Sequence, residues 1–129
     1  MIPIYGSFGR PGSPKEGLDE IIEGRVPWSG GKLNIQLNTT EFTSVCPTTG
    51  QPDFYDVSVD YVPDEYYLES KTMKFYFWAF RDQGFHSETL TKQICEDLFS
   101  AINPFSMKVK TIQSPRGGIS IVSEYFKER

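Results

Sequence analysis

The chain has 129 residues, 38% of them apolar and 15% aromatic, enough for one domain with a real core. Its net charge of -4 gives no electrostatic case for nucleic acid, whose binding draws on a basic surface. No apolar run approaches the roughly 18 to 20 residues that span a bilayer, and the N-terminus lacks a signal pattern, so a soluble cytoplasmic protein is expected.

Residues 1–31 are punctuated by Gly6, Gly9, Gly12, Pro3, Pro11, Pro14 and Pro27 and read as an irregular arm, ordered only against another subunit. Gly6, Gly9 and Gly12 loosely follow a nucleotide-binding glycine loop. With no strand before them and no helix after, that reading fails. Residues 32–129 read as a single domain. Leu33, Ile35 and Leu37 alternate with Asn34, Gln36 and Asn38, which predicts a half-buried strand, and Tyr55 to Tyr61 alternate in the same way. Ser70 to Arg81 predicts a helix stopped near Gly84. Leu90, Ile94, Leu98 and Ile102 recur at helical spacing, closed by Pro104. Met107–Ile112 and Gly118–Val122 predict two final strands. The order β-β-α-α-β-β gives an α+β domain: a four-stranded antiparallel sheet with both helices on one face and open edges that invite assembly into a ring.

Cys46 and Asp53 share the short loop Cys46-Pro47-Thr48-Thr49-Gly50-Gln51-Pro52-Asp53-Phe54. A thiolate there suits attack on an electrophilic carbon, and a carboxylic acid suits protonation of the atom beside it. The bland alternative is a cysteine packed as a small hydrophobe, with Asp53 capping a turn. Cys95, between Ile94 and the Leu98 stripe, reads as core, and a disulfide between two such different settings is not expected. A single histidine, His86, without Cys-x-x-Cys or His-x-x-x-His spacing, predicts no metal site.

The loop Cys46 to Phe54, together with Glu69-Ser70-Lys71-Thr72-Met73-Lys74-Phe75-Tyr76 and Pro115-Arg116-Gly117-Gly118, resembles the QueF family of NADPH-dependent 7-cyano-7-deazaguanine reductases in its short single-module form. The likeness runs from about Phe42 to Ile121. It implies the tunnelling fold (T-fold), whose subunits close into rings, with two stacked pentamers among the arrangements it allows. It also implies reduction of a nitrile to a primary amine with two NADPH, on the route to queuosine. Cys46 would form a thioimide and Asp53 would be the general acid, which to hold a proton at neutral pH must be partly desolvated. Leu68, Glu69 and Ser70 would contact the deazaguanine. Lys71, Lys74 and Arg116 would meet the NADPH phosphates, where the residues alone would equally suit a solvated face.

The family places adjacent His and Glu after a Gly-x-Phe-like turn, whereas this chain reads Phe85-His86-Ser87-Glu88. Ungapped comparison puts Ser87 and Glu88 on those positions, and a local shift would keep His86 in the histidine role. These residues also suit the start of a helix. A QueF-like amidinotransferase acting on transfer RNA would keep the Cys and Asp but lacks the Glu-Ser-Lys segment. A non-catalytic purine- or pterin-binding relative would keep Glu88 with Cys46 unreactive. A zinc-dependent cyclohydrolase on the same fold is disfavoured by the missing ligand set.

Overall fold

The computed structural model describes residues 10–129, and its elements follow the predicted order with additions at the N-terminal side. The first is helix α1, Pro14–Gly24, within the stretch expected to be irregular. The Ser13 hydroxyl caps it by accepting from Glu16 N (3.2 Å), Pro14 supplies a preset φ at the helix start, and Ile21 is fully buried. Glycine and proline here punctuate the helix rather than prevent it. Gly6 and Gly9 lie outside the described residues. Gly12 is followed by α1 after all, and its N–H is taken by the Glu16 carboxylate at 2.9 Å. Nor does the arm wait for a second subunit. Strand β1, Val26–Pro27, pairs with β4, Tyr66–Tyr67, and Arg25 donates to the Ala101 carbonyl at 2.7 Å.

The main sheet is antiparallel in the order β2-β3-β5-β6, formed by Ile35–Val45, Pro52–Val62, Ser106–Arg116 and Ile119–Glu128. Each strand runs further than the alternation alone predicted. In β3 the inward set is Asp53, Tyr55, Val57, Val59 and Tyr61, all buried, while Phe54 and Asp56 face the open side. Strand β2 changes parity partway. A bulge between Thr39 and Phe42 inserts a residue, so the inward positions switch from Ile35 and Leu37 to Phe42 and Ser44.

Helices α2, Ser70–Trp78, and α3, Ser87–Ile102, cover the inward face. α2 stops short of Arg81, because Ala79 N turns back to both the Phe75 and Tyr76 carbonyls. Leu90, Ile94, Leu98 and Ile102 form the buried stripe of α3, and Cys95 lies with them in the core as expected. Among the described residues no helix is long and apolar enough to cross a membrane.

α1 packs close to α2: a Cβ on Gly17 would come within 3.1 Å of the Tyr76 backbone. If α1 is structural, Ile21→Ala lowers unfolding free energy by about 2–4 kcal/mol in urea titration, the range for truncating a fully buried isoleucine. An arm without structural duty would leave the midpoint where it was.

Candidate active site

The bulge in β2 decides where the sulfur goes. Ser44 pairs in register with Asp53, and both are buried on the inward face. Two residues beyond Ser44, Cys46 keeps the same parity at the end of the strand. The turn that follows is tight: Gly50 N donates to the Cys46 carbonyl at 2.9 Å, and Cys46 N donates to the Gln51 carbonyl at 2.8 Å. Gly50 takes a left-handed φ of 74°, open to glycine at little cost.

A second segment is stitched onto this end. Val45 N donates to the Gln83 carbonyl at 3.0 Å, and Phe85 N donates to the Val45 carbonyl at 3.2 Å. Gly84 keeps the approach close, since a Cβ would sit tightly against the Pro47 backbone at 3.1 Å. The stitch brings the start of α3 to the cysteine loop. His86 is the N-cap residue without a side-chain cap bond, Ser87 is buried, and Glu88 is exposed in the first turn. The Ser87 hydroxyl donates to Glu88 at 3.0 Å. With the Glu88 backbone N–H, the larger cause, it holds the Glu88 carboxyl below its usual range.

The β5–β6 hairpin delivers the third component. Gly117 and Gly118, with φ of 59° and 81°, make its two-residue turn, and Arg116 sits just before them. The Arg116 guanidinium reaches across to Asp53, Nη1 to Oδ1 at 2.5 Å, while Nη2 donates to the Gln51 side-chain oxygen. Asp53 is 3% exposed, so its charge has been taken from water and given a cation instead. The Cys46 thiol is lowered to about 7. The Thr49 hydroxyl contributes most, followed by the N–H groups of Thr49 and Thr48; partial burial opposes them, and Arg116 adds a final hydrogen bond. Cys95 shows the opposite case, pushed up to about 11 by burial.

Cys46, Asp53 and Arg116 thus come together, with Ser87 and Glu88 beside them. Leu68 does not join them within one chain, and Glu69 is taken up by its own helix. Leu68 N donates to the Tyr61 hydroxyl at 2.9 Å, and Tyr61 lies eight residues along β3 from Asp53, roughly 25 Å at strand rise. The Glu69 carboxylate caps α2, accepting from Lys71 N at 2.7 Å and Thr72 N at 3.0 Å. Burial opposes its ionisation, yet those N–H groups hold it below the usual range. Lys71 and Lys74 are exposed on the early turns of α2. Lys74 lines a groove of about 610 Å³ between α2 and β2, with Ser70, Trp78, Arg81 and Thr39.

Sequence reasoning gave no role to Thr48, Thr49, Gln51, Ser44 or Tyr55. Gln51 and the two threonines stood inside the quoted loop, yet only the turn reveals that they converge on the sulfur and the arginine. Ser44 and Tyr55, buried beside Asp53, have hydroxyls hidden from solvent.

An antiparallel sheet backed by helices, with a cysteine turn whose thiol is lowered towards neutrality and a buried carboxylate at the start of the next strand, defines the α+β class to which the chain belongs. The family model described as QueF-like protein matches residues 52–129. The NADPH-dependent 7-cyano-7-deazaguanine reductase of Syntrophus aciditrophicus (strain SB) is 47% identical over 117 residues, spanning 91% of this chain and 81% of the relative. That of Thiobacillus denitrificans (strain ATCC 25259 / T1) is 37% identical over 120 residues, spanning 92% and 84%. The chain belongs to the QueF-like family. The crystal structure of the archaeosine synthase QueF-Like in the apo form aligns with a TM-score of 0.66 at 24% identity, covering 77% of this chain and 95% of that one. The fold is the tunnelling fold that the sequence resemblance implied.

A thiol near 7 is mostly thiolate above that pH and mostly protonated below it. Iodoacetamide should therefore alkylate Cys46 about tenfold faster at pH 8 than at pH 6, with half the maximal rate near pH 7. Cys95 should stay unmodified until the protein unfolds.

Proposed function

We propose that this chain is an NADPH-dependent oxidoreductase that reduces the nitrile of 7-cyano-7-deazaguanine to the aminomethyl group, in queuosine biosynthesis. The names of relatives that share most of its length support the activity. The observation that carries it into chemistry is the Cys46–Asp53 pair, one group activated near neutrality and the other buried within reach of the same arginine.

In this reading the Cys46 thiolate attacks the nitrile carbon, one C≡N π pair moves to nitrogen, and Asp53 protonates that nitrogen to complete the thioimide. The proton balance closes inside the site. Asp53 first takes the hydrogen released by the Cys46 thiol, then passes it on, so formation of the adduct consumes no outside proton. The four-electron reduction would draw one hydride from each of two NADPH bound in turn. The groove beside Lys74 and Arg81 suits the cofactor in size and charge, with Trp78 offering a flat apolar wall.

Substrate contacts are assigned to Leu68, Glu69 and Ser70 and, at the cysteine end, to His86, Ser87 and Glu88; cofactor contacts are assigned to Lys71, Lys74 and Arg116. Leu68 is held at Tyr61, roughly 25 Å along β3 from Asp53, too far for one purine to touch both in a single copy. The site is therefore built by neighbouring copies in a ring-type homo-oligomer, the Leu68–Lys74 segment of one meeting the Cys46 end of another. The free nitrile base, rather than nucleic acid, is the substrate, in keeping with a net charge of -4. Two free cysteines suit the reducing cytoplasm.

Mixing the protein with 7-cyano-7-deazaguanine should add the ligand's mass covalently and raise a thioimide absorbance band, both lost in Cys46→Ala. An adduct that persists in that variant defeats the assignment. NADPH oxidation should follow in the same sample; an adduct without oxidation would favour amidino transfer instead.

Dilution provides the test of assembly. Light scattering and turnover should fall together as the oligomer dissociates, and a fully active monomer would rule out the shared site.

A further inference from the structure

Arg116 is assigned above to the cofactor by family likeness, yet its fork is already committed to the reacting pair. Nη1 holds the buried Asp53 carboxylate at 2.5 Å and Nη2 holds the Gln51 side-chain oxygen, on the turn that carries Cys46. Each end of the guanidinium has a different partner, an arrangement that a point charge such as lysine cannot copy.

We propose that Arg116 is a positioning residue for Cys46 and Asp53, acting through Gln51 before any cofactor arrives. Gln51 stands at the crossing point of the turn. Its carbonyl receives Cys46 N at 2.8 Å, its own N–H donates to the Thr49 hydroxyl oxygen at 3.3 Å, and its side-chain oxygen lies 3.3 Å from that hydroxyl. The Thr49 hydroxyl and the Arg116 guanidinium both donate to that Gln51 oxygen, which as an amide carbonyl accepts two bonds, so arginine, Gln51 and Thr49 form one chain ending on the cysteine turn. Arg116 thereby holds the turn that carries Thr49 and Cys46 through Gln51, beside its own hydrogen bond to the sulfur, while its other arm holds Asp53. The hairpin turn at Gly117 and Gly118 sets how far the arginine reaches. The proposal deepens the reading of the Cys46–Asp53 pair and rests on it for catalysis, but its test needs neither nitrile nor NADPH.

The measurement is the pH profile of Cys46 alkylation by iodoacetamide in the full chain, with protection of Cys95 in the same sample reporting that the fold is intact. Arg116→Ala should move the midpoint up by about half a unit, seen as roughly threefold slower alkylation at pH 6.5. Gln51→Ala keeps the arginine's charge but removes its anchor on the turn, and should shift the midpoint the same way. Arg116→Lys should restore it only in part. Arg129→Ala, which removes a cation paired with Asp64 instead, should leave the profile unchanged. An unaltered midpoint in Arg116→Ala overturns the proposal. A shift in Arg116→Ala with none in Gln51→Ala also overturns it, because the arginine would then act as a nearby charge alone. If Arg116→Ala exposes Cys95, Gln51→Ala and Arg116→Lys decide the matter. Failure of the nitrile to form an adduct would leave these profiles untouched, so the two readings fail separately.

Discussion

The register of β2 against β3 is the constraint on which the site depends. A strand carries its side chains to alternate faces, so without the bulge between Thr39 and Phe42 the inward parity of Ile35 and Leu37 would run on to Thr43 and Val45. Cys46 would then point to the open face while Asp53 stayed on the helix side. One inserted residue brings Phe42 into the aromatic packing, at 5.6 Å from the Tyr55 ring centre and 5.5 Å from that of Phe80, and aligns Ser44 with Asp53. The same local adjustment thus completes the core and brings the cysteine turn to the end of the sheet that carries Asp53. Bulges are expected where a side chain must be re-aimed at the end of a sheet.

The electrostatics follow from that placement. A carboxylate only 3% exposed must be compensated, and the compensation comes from a hairpin far away in sequence. Gln51 ties the arginine to the cysteine turn, so sulfur, acid and cation form one connected unit rather than three neighbouring groups. The two cysteines show how completely surroundings decide reactivity. Cys46, on a turn of convergent N–H and O–H donors, is lowered to about 7, whereas Cys95, in an apolar core, is raised to about 11.

The opposite end of the domain has a different character. The Glu69 carboxylate is spent on the N-terminus of α2, where two backbone N–H groups would otherwise lack partners. The acid is therefore committed to its own helix, while Ser70 and the cations of α2 stay exposed. The groove between α2 and β2 lies along an edge strand of the sheet, whose outer side has no partner strand among the described residues.

Much of this was legible in the residues. Alternation at Tyr55 to Tyr61 and the stripe from Leu90 to Ile102 determined a half-buried strand and an amphipathic helix, because those periods are properties of the local backbone. Helix α1 was legible too, in Ser13-Pro14 followed by Glu16, but the surrounding glycines and prolines were given more weight than the cap they frame. The three motifs determined the family and supplied Cys46, Asp53 and Arg116 as candidates. Only the tertiary structure decided the bulge in β2, the turn that gathers Thr49 and Gln51 around the sulfur, the bond from Arg116 to Asp53, and the distance of Leu68 from them. The physical reason is that parity, convergence and distance arise from pairing between strands remote in the chain, on which the local pattern of side chains carries no record.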